Sequence, residues 1–155
     1  MKINFVCHGN ICRSPMAEFL FKDMLAKRGK EEIVVCSTAT SSEEIYRGVG
    51  NPVYPPARDK LASVGISCAG KRAVQLRVED YASCDLFIGM DSANIRNMQR
   101  IFGGDPENKI RKLLNYTPRG GDVADPWYSG DFNRAFSDIK AGCEGLYFAL
   151  FGEEF

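Results

Sequence analysis

The sequence predicts an α/β fold with a parallel sheet, on three observations. Short apolar runs alternate with segments of helical apolar spacing along the whole chain, the pattern of strand–helix–strand units with right-handed crossovers. The first run, Lys2–Val6, carries Ile3, Phe5 and Val6 and reads as a strand covered on both faces. Finally, 155 residues at 45% hydrophobic suffice for one well-buried core and are too few for two comfortable domains, so one domain over 1–155 is expected.

The elements follow in order. After the strand Lys2–Val6, Met16, Ala17, Phe19, Leu20, Met24 and Leu25 recur at helical spacing, and Gly29 supplies a stop. Ile33–Ser37 reads as a second short strand. Thr38–Arg58 is polar and broken by Gly48, Gly50, Pro52, Pro55 and Pro56; it reads as a long surface excursion, more often functional than idle. Ala57–Val64 has helical spacing with Gly65 as its stop. Ile66–Ala69 reads as a short extended piece, and Val78–Tyr81 as a helical turn. Leu86–Met90 is a third strand, after which Asp91 caps a helix running to Phe102. Ile110–Leu114 is a fourth strand, Thr117–Phe132 a loop rich in Gly, Pro and Asp, and Asn133–Phe151 a last helix weakened by Gly142 and Gly145. Ligands of such folds bind beyond the carboxyl ends of the strands, where Cys7, Ser37 and Asp91 all fall.

Lys plus Arg equals Asp plus Glu at 20 each, so no nucleic-acid partner is expected. No apolar run approaches a signal-peptide core or a membrane span, and no membrane association is expected. The six cysteines are Cys7, Cys12, Cys36, Cys68, Cys84 and Cys143. There is no C-x-x-C pair and His8 is the one histidine, so no metal site is expected. A reducing, cytoplasmic setting fits best.

The chain is organised around Cys7-His8-Gly9-Asn10-Ile11-Cys12-Arg13-Ser14-Pro15, a tight polar loop between the first strand and the first helix. Its backbone N–H groups and the helix N-terminus can wrap one tetrahedral oxyanion. Arg13 adds a planar fork for two of the anion's oxygens. Gly9 permits an approach that a side chain would block. Asn10 tolerates left-handed backbone and can bond the loop. Ser14 can cap the helix or donate to sulfur. The same field favours the thiolate form of Cys7, whose attack on a bound phosphorus would give a cysteinyl-phosphate. The GK-[ST] of nucleotide-binding P-loops is absent.

This loop, together with Asp125-Pro126-Trp127-Tyr128 and with Gly89-Met90-Asp91-Ser92-Ala93-Asn94 after a strand, resembles the low-molecular-weight protein tyrosine phosphatase family. The motifs stand in the family's order along nearly the whole chain. The resemblance implies a three-layer α-β-α fold with a four-stranded parallel sheet flanked by helices and an N-terminal phosphate-binding loop. It implies Cys7 as nucleophile, Arg13 as phosphate clamp, and Asp125 as the acid that protonates the leaving phenol and later activates water. A positioned carboxylic acid is worth roughly 10²–10⁴-fold in such a step. His8, Gly9, Asn10, Ile11, Cys12 and Ser14 complete the phosphate-binding loop, and Ser37 and Asp91 support it. Asp91 is read first as a helix cap, with a role in positioning Arg13 as the sharper alternative. Trp127 and Tyr128 form an aromatic rim, with Tyr46 opposite. Ile11 suits an aromatic substrate, where relatives directed at phosphoarginine resemble this pattern but carry threonine. The resemblance also implies a reversible Cys7–Cys12 disulfide under oxidant.

The sequence departs from the family in two places. A histidine that commonly completes the loop's support would fall near Gly70, so either that support is weaker here or Lys71 or Arg72 substitutes. Tyr54-Pro55-Pro56-Ala57-Arg58 stands where Asp-Pro-Arg-Ala is usual. The expected activity is hydrolysis of a phosphotyrosine-containing protein or small aryl phosphate, with no cofactor, by a monomer or at most a weak dimer. The alternatives are arsenate reduction on the same fold, which needs further relay cysteines near the end of the third strand, and a non-catalytic phosphate-binding module.

Overall fold

Strand β1 (Lys2–Cys7) leads directly into the loop, and helix α1 (Arg13–Lys27) leaves it. The computed structural model describes residues 1–155. The other strands of the main sheet are β2 (Val34–Ala39), β5 (Leu86–Gly89) and β6 (Ile110–Lys112). They lie in the order β2-β1-β5-β6, and every neighbouring pair is parallel. Strand order reverses on either side of β1, and the carboxyl ends of β1 and β5 open the crevice such a reversal creates.

Helix α1 packs with α2 (Pro55–Ser63) and α6 (Phe132–Phe151) on one face, and α4 (Ser92–Phe102) covers the other beside β5 and β6. The resulting three-layer α/β architecture matches the expectation. Period-2 alternation divides β1 between the layers. Ile3, Phe5 and Cys7 join the large core with Met16, Phe21, Ile139 and Leu146. Val6 joins a smaller core with Phe87, Met98 and Ile110. Asn4 is the buried polar exception, and its Oδ1 accepts a hydrogen bond from the Thr38 hydroxyl at 3.0 Å. No helix is long and apolar enough to cross a membrane.

Several boundaries move. The excursion after β2 contains an antiparallel hairpin, β3 (Ile45–Tyr46) with β4 (Val49–Gly50), turned by Arg47 and Gly48 at positive φ. Ile66–Ala69 forms no strand; it bends between Gly65 and Gly70, both at positive φ. The helical turn expected at Val78 begins later, as α3 (Asp80–Ser83). The fourth strand stops at Lys112, and Leu113–Tyr116 continues as a 3₁₀ turn against α6. That contact explains the glycines of α6. A Cβ at Gly142 would overlap the Leu113 side chain, and one at Gly145 would overlap the Tyr116 carbonyl. Close approach, not flexibility, puts glycine in this helix.

Candidate active site

The loop closes at the end of β1 because its backbone can turn there. Asn10 adopts φ 59°, a left-handed geometry that Asn tolerates better than most residues. Its N–H points back at the Cys7 Sγ, 3.3 Å away. Thr40 N–H donates to Cys7 O, Ser41 N–H to His8 O and Tyr54 N–H to Ile11 O, so three carbonyls of the loop face outward onto neighbouring backbone. The N–H groups of His8, Gly9, Ile11 and Cys12 donate to no protein acceptor. Carbonyls out and N–H groups free inward is the electrostatic shape of an anion cradle. A Cβ at Gly9 would press on the Glu44 Cγ at 3.2 Å.

A buried polar chain sets the direction of the hydrogen bonds that reach the sulfur. Val74 N–H donates to Asn10 Oδ1 (3.0 Å), which fixes the amide so that Nδ2 faces Ser14 Oγ (2.8 Å) and Ser37 Oγ (2.9 Å). Ser37 gives its own proton to Glu18 Oε1 at 2.5 Å. Ser14 accepts from Asn10, and its hydroxyl proton is free for Cys7 Sγ at 3.0 Å. Of the two readings of Ser14, contact with the sulfur holds, and its hydroxyl bonds Cys7 Sγ and the Asn10 amide rather than a helix N–H. Of Lys71 and Arg72, Lys71 is the one that reaches this polar chain. Its Nζ donates to Ser37 O at 2.9 Å and lies 3.5 Å from Glu18 Oε1. Arg72 instead donates to Gly50 O. Burial lowers the Lys71 pKa while Glu18 opposes it. Glu18, 4% exposed, was not singled out from the sequence. Its place one helical turn after Ser14 in an otherwise apolar stretch was the available signal.

Arg13 is 3% exposed and held from three sides. Nη1 donates to Asp91 Oδ2 at 2.7 Å and to Val123 O at 2.9 Å, and Nη2 lies 3.4 Å from Asp125 Oδ2. Burial works against its charge, but Cys7, Asp91 and Asp125 outweigh it and raise its pKa. Asp91 does both things considered for it. Oδ1 accepts from Asn94 N–H as the cap of α4, and Oδ2 holds Arg13. The loop that carries Asp125 is tied to β5 and α4 where it begins. Val123 N–H bonds Met90 O, and Asp122 accepts from Ser92 and Lys112. Asp125 Oδ1 also caps the short helix α5 (Pro126–Ser129) through Trp127 N–H at 3.0 Å.

The cleft above the sulfur has a volume of about 130 Å³ and is lined by the loop, Asp125, Trp127, Tyr128, Glu43 and Glu44. Trp127 is 56% exposed and rests on Tyr54 with ring centroids 5.0 Å apart. Tyr128 stands free at 86% exposure. The opposite rim is not Tyr46, which is 73% exposed and lines no part of the cleft. The strand alternation of β3 turns Ile45 inward and Tyr46 outward under Arg47, so Glu43 and Glu44, from the preceding turn, occupy that side. Glu43 lies 3.0 Å from His8 Nε2. Cys12 is buried at the loop's base. Burial first, then the charge of Cys7, pushes its pKa up to about 12, so it stays a thiol beside the nucleophilic position.

Comparison with known proteins agrees with this geometry. The family model for low molecular weight phosphotyrosine protein phosphatase matches residues 2–154. The chain is 37% identical over 148 residues to the low molecular weight protein-tyrosine-phosphatase YfkJ of Bacillus subtilis, covering 94% of this chain and 93% of that one. The crystal structure of YfkJ superposes with a TM-score of 0.92 at 36% identity, over 100% and 97% of the two chains. Low molecular weight protein-tyrosine phosphatase A of Mycobacterium tuberculosis is 32% identical over 157 residues, 95% of this chain and 90% of that one. SP-PTP of Streptococcus pyogenes, a low molecular weight protein tyrosine phosphatase, superposes with a TM-score of 0.82 at 33% identity, over 97% and 92% of the chains. Loop, fold and relatives agree: the chain belongs to the low molecular weight phosphotyrosine protein phosphatase family.

Proposed function

We propose that this phosphatase hydrolyses phosphotyrosine, and small aryl phosphates, through a cysteinyl-phosphate formed on Cys7. The phosphate dianion sits in the free N–H groups of the loop with the Arg13 fork on its oxygens. The Cys7 thiolate, held by the Ser14 hydroxyl and the Asn10 N–H, attacks phosphorus in line with the leaving oxygen. The P–O bond to the ring breaks, and the departing phenolate takes a proton from Asp125. Water then attacks the cysteinyl-phosphate, gives its proton to the Asp125 carboxylate, and releases inorganic phosphate and the thiolate. Fixed N–H groups and Arg13 hold charge on the equatorial oxygens throughout both transfers. Every group this route uses comes from one chain, which suits a monomer. The cysteines, none of them disulfide-paired, suit a reducing cytoplasm.

The observation that carries this reading is the convergence of Cys7, Arg13 and Asp125 on one small cleft. Cys7→Ser should abolish turnover of p-nitrophenyl phosphate while keeping vanadate binding. Asp125→Asn should slow hydrolysis most for the most basic leaving phenols. Turnover that survives Cys7→Ser would end the covalent route. A dependence on leaving-group pKa equally shallow in both proteins would remove Asp125 from the acid role.

A further inference from the structure

A second, larger space adjoins the catalytic cleft. It is an open groove of about 790 Å³ between α2, the turn Gly65–Lys71 and the segment Asn51–Val53. The cleft and the groove meet at Ile11, Glu44 and Trp127, which line both. The cleft, about 130 Å³, holds little more than a phosphate and part of a ring, so the rest of a protein substrate must lie outside it. The groove is the space continuous with it.

Charge at the junction is unbalanced. Of the charged residues lining the groove, Lys71 turns its ammonium inward to Ser37 O and Glu18. Arg58 places Nε and Nη2 on Asp59, both at 3.2 Å. Glu44 has no cation partner. Its carboxylate accepts only the neutral Asn51 amide, Nδ2 to Oε2 at 2.7 Å, which holds it in place. Its neighbour Glu43 is engaged by His8, and Asp125 faces Arg13. The one carboxylate shared by both spaces therefore presents an uncompensated and oriented negative charge.

We propose that this groove binds the polypeptide flanking the phosphotyrosine, and that Glu44 makes it select a lysine or arginine close to that residue. The proposal rests on the phosphatase reading of the cleft. An exposed ion pair of this kind is worth little individually and is screened by salt, which sets the expected preference at about fivefold and confines it to low ionic strength. Complementary charge at the mouth would also speed encounter with such substrates.

The test compares phosphotyrosine peptides that are identical except for Lys or Glu at each position within three residues of the phosphotyrosine. Each kcat/KM is normalised to p-nitrophenyl phosphate turnover by the same protein. The Lys peptide should be favoured about fivefold at one or more positions in 20 mM salt, and much less in 0.5 M. Glu44→Gln keeps the shape and can keep the Asn51 bond, and should bring the Lys-to-Glu ratio close to one. Ala62→Trp, on an exposed turn of α2, fills the groove and should raise the normalised KM of both peptides. A Lys-to-Glu ratio near one in the unaltered protein, or one that Glu44→Gln leaves intact, would overturn the selection by Glu44. Peptide KM values unmoved by Ala62→Trp would overturn the groove. Failure of the catalytic reading shows separately, as p-nitrophenyl phosphate turnover by Cys7→Ser protein.

Discussion

Asp91 performs two tasks with one carboxylate, and they can be separated. Asn caps a helix about as well as Asp, so Asp91→Asn should keep the cap and lose about 1.5–3 kcal/mol of unfolding free energy in urea, the worth of a hydrogen bond to a charged group, here the buried Arg13. It cannot keep the charge-assisted bond to Arg13 Nη1. A bond of that kind is worth about tenfold, and kcat on p-nitrophenyl phosphate should fall by about that factor. An unchanged kcat would mean that Val123 O and Asp125 position Arg13 unaided. The same scale shows which side chains were legible beforehand. Cys7, Asn10, Arg13 and Ser14 lie close together in sequence, so their types declared the loop. Tyr46 was misplaced because a two-residue strand gives too little pattern to tell inward from outward. Glu18 and Lys71 were hard to assign because a buried ion pair looks like two surface charges until the partners are seen.

At the scale of elements, α6 and the turn after β6 carry an unusual demand. Alanine favours a helix over glycine by about 1 kcal/mol, yet Gly145→Ala should destabilise the protein by about 2 kcal/mol, because a methyl there overlaps the Tyr116 carbonyl and overpacking dominates. A urea midpoint that rises would contradict that packing. The β5–β6 side has a pH-dependent lock. Asp105 accepts from the Tyr81 hydroxyl at 2.6 Å and from the N–H groups of Lys109 and Ile110. Burial pushes its pKa up, but these donors outweigh burial and hold it below the ordinary value of 3.8. The sign follows from linkage. The stabilisation is full above the unfolded carboxylate pKa and is lost as pH falls through the lower folded value. Asp105→Ala should therefore cost about 1–2 kcal/mol at pH 7, with the gap from the parent protein narrowing by pH 3. A gap that stays constant across that range would show that Asp105 contributes through packing alone.

At the scale of the whole molecule, the large core joins β1, α1, α2 and α6 with the end of β5, and the candidate site sits at the rim of that core rather than between separate bodies. We expect one cooperative unit over 1–155. Far-UV circular dichroism and Trp127 fluorescence should then report the same urea midpoint. Fluorescence melting earlier would show the Asp125 loop and α5 opening before the sheet. The fold was legible because alternating strand and helix patterns admit few arrangements once crossovers are right-handed. What the pattern could not supply was the bending of Ile66–Ala69, the β3–β4 hairpin and the early end of β6, where turn geometry and contact with other elements prevail over local propensity.

The sequence by itself determined the strand–loop–helix that forms the anion cradle, since the residues that signal strand, turn and helix start stand together in one short stretch. It also determined the class of chemistry that a cysteine and an arginine can perform there. Only the tertiary structure decided what surrounds them. It brings Asp91 and Asp125 onto Arg13 from far along the chain, joins Glu18 and Lys71 at Ser37, and leaves Glu44 without a cation at the mouth of a groove. Such contacts depend on strand order, register and packing, and no local stretch of residues encodes a partner that another element delivers.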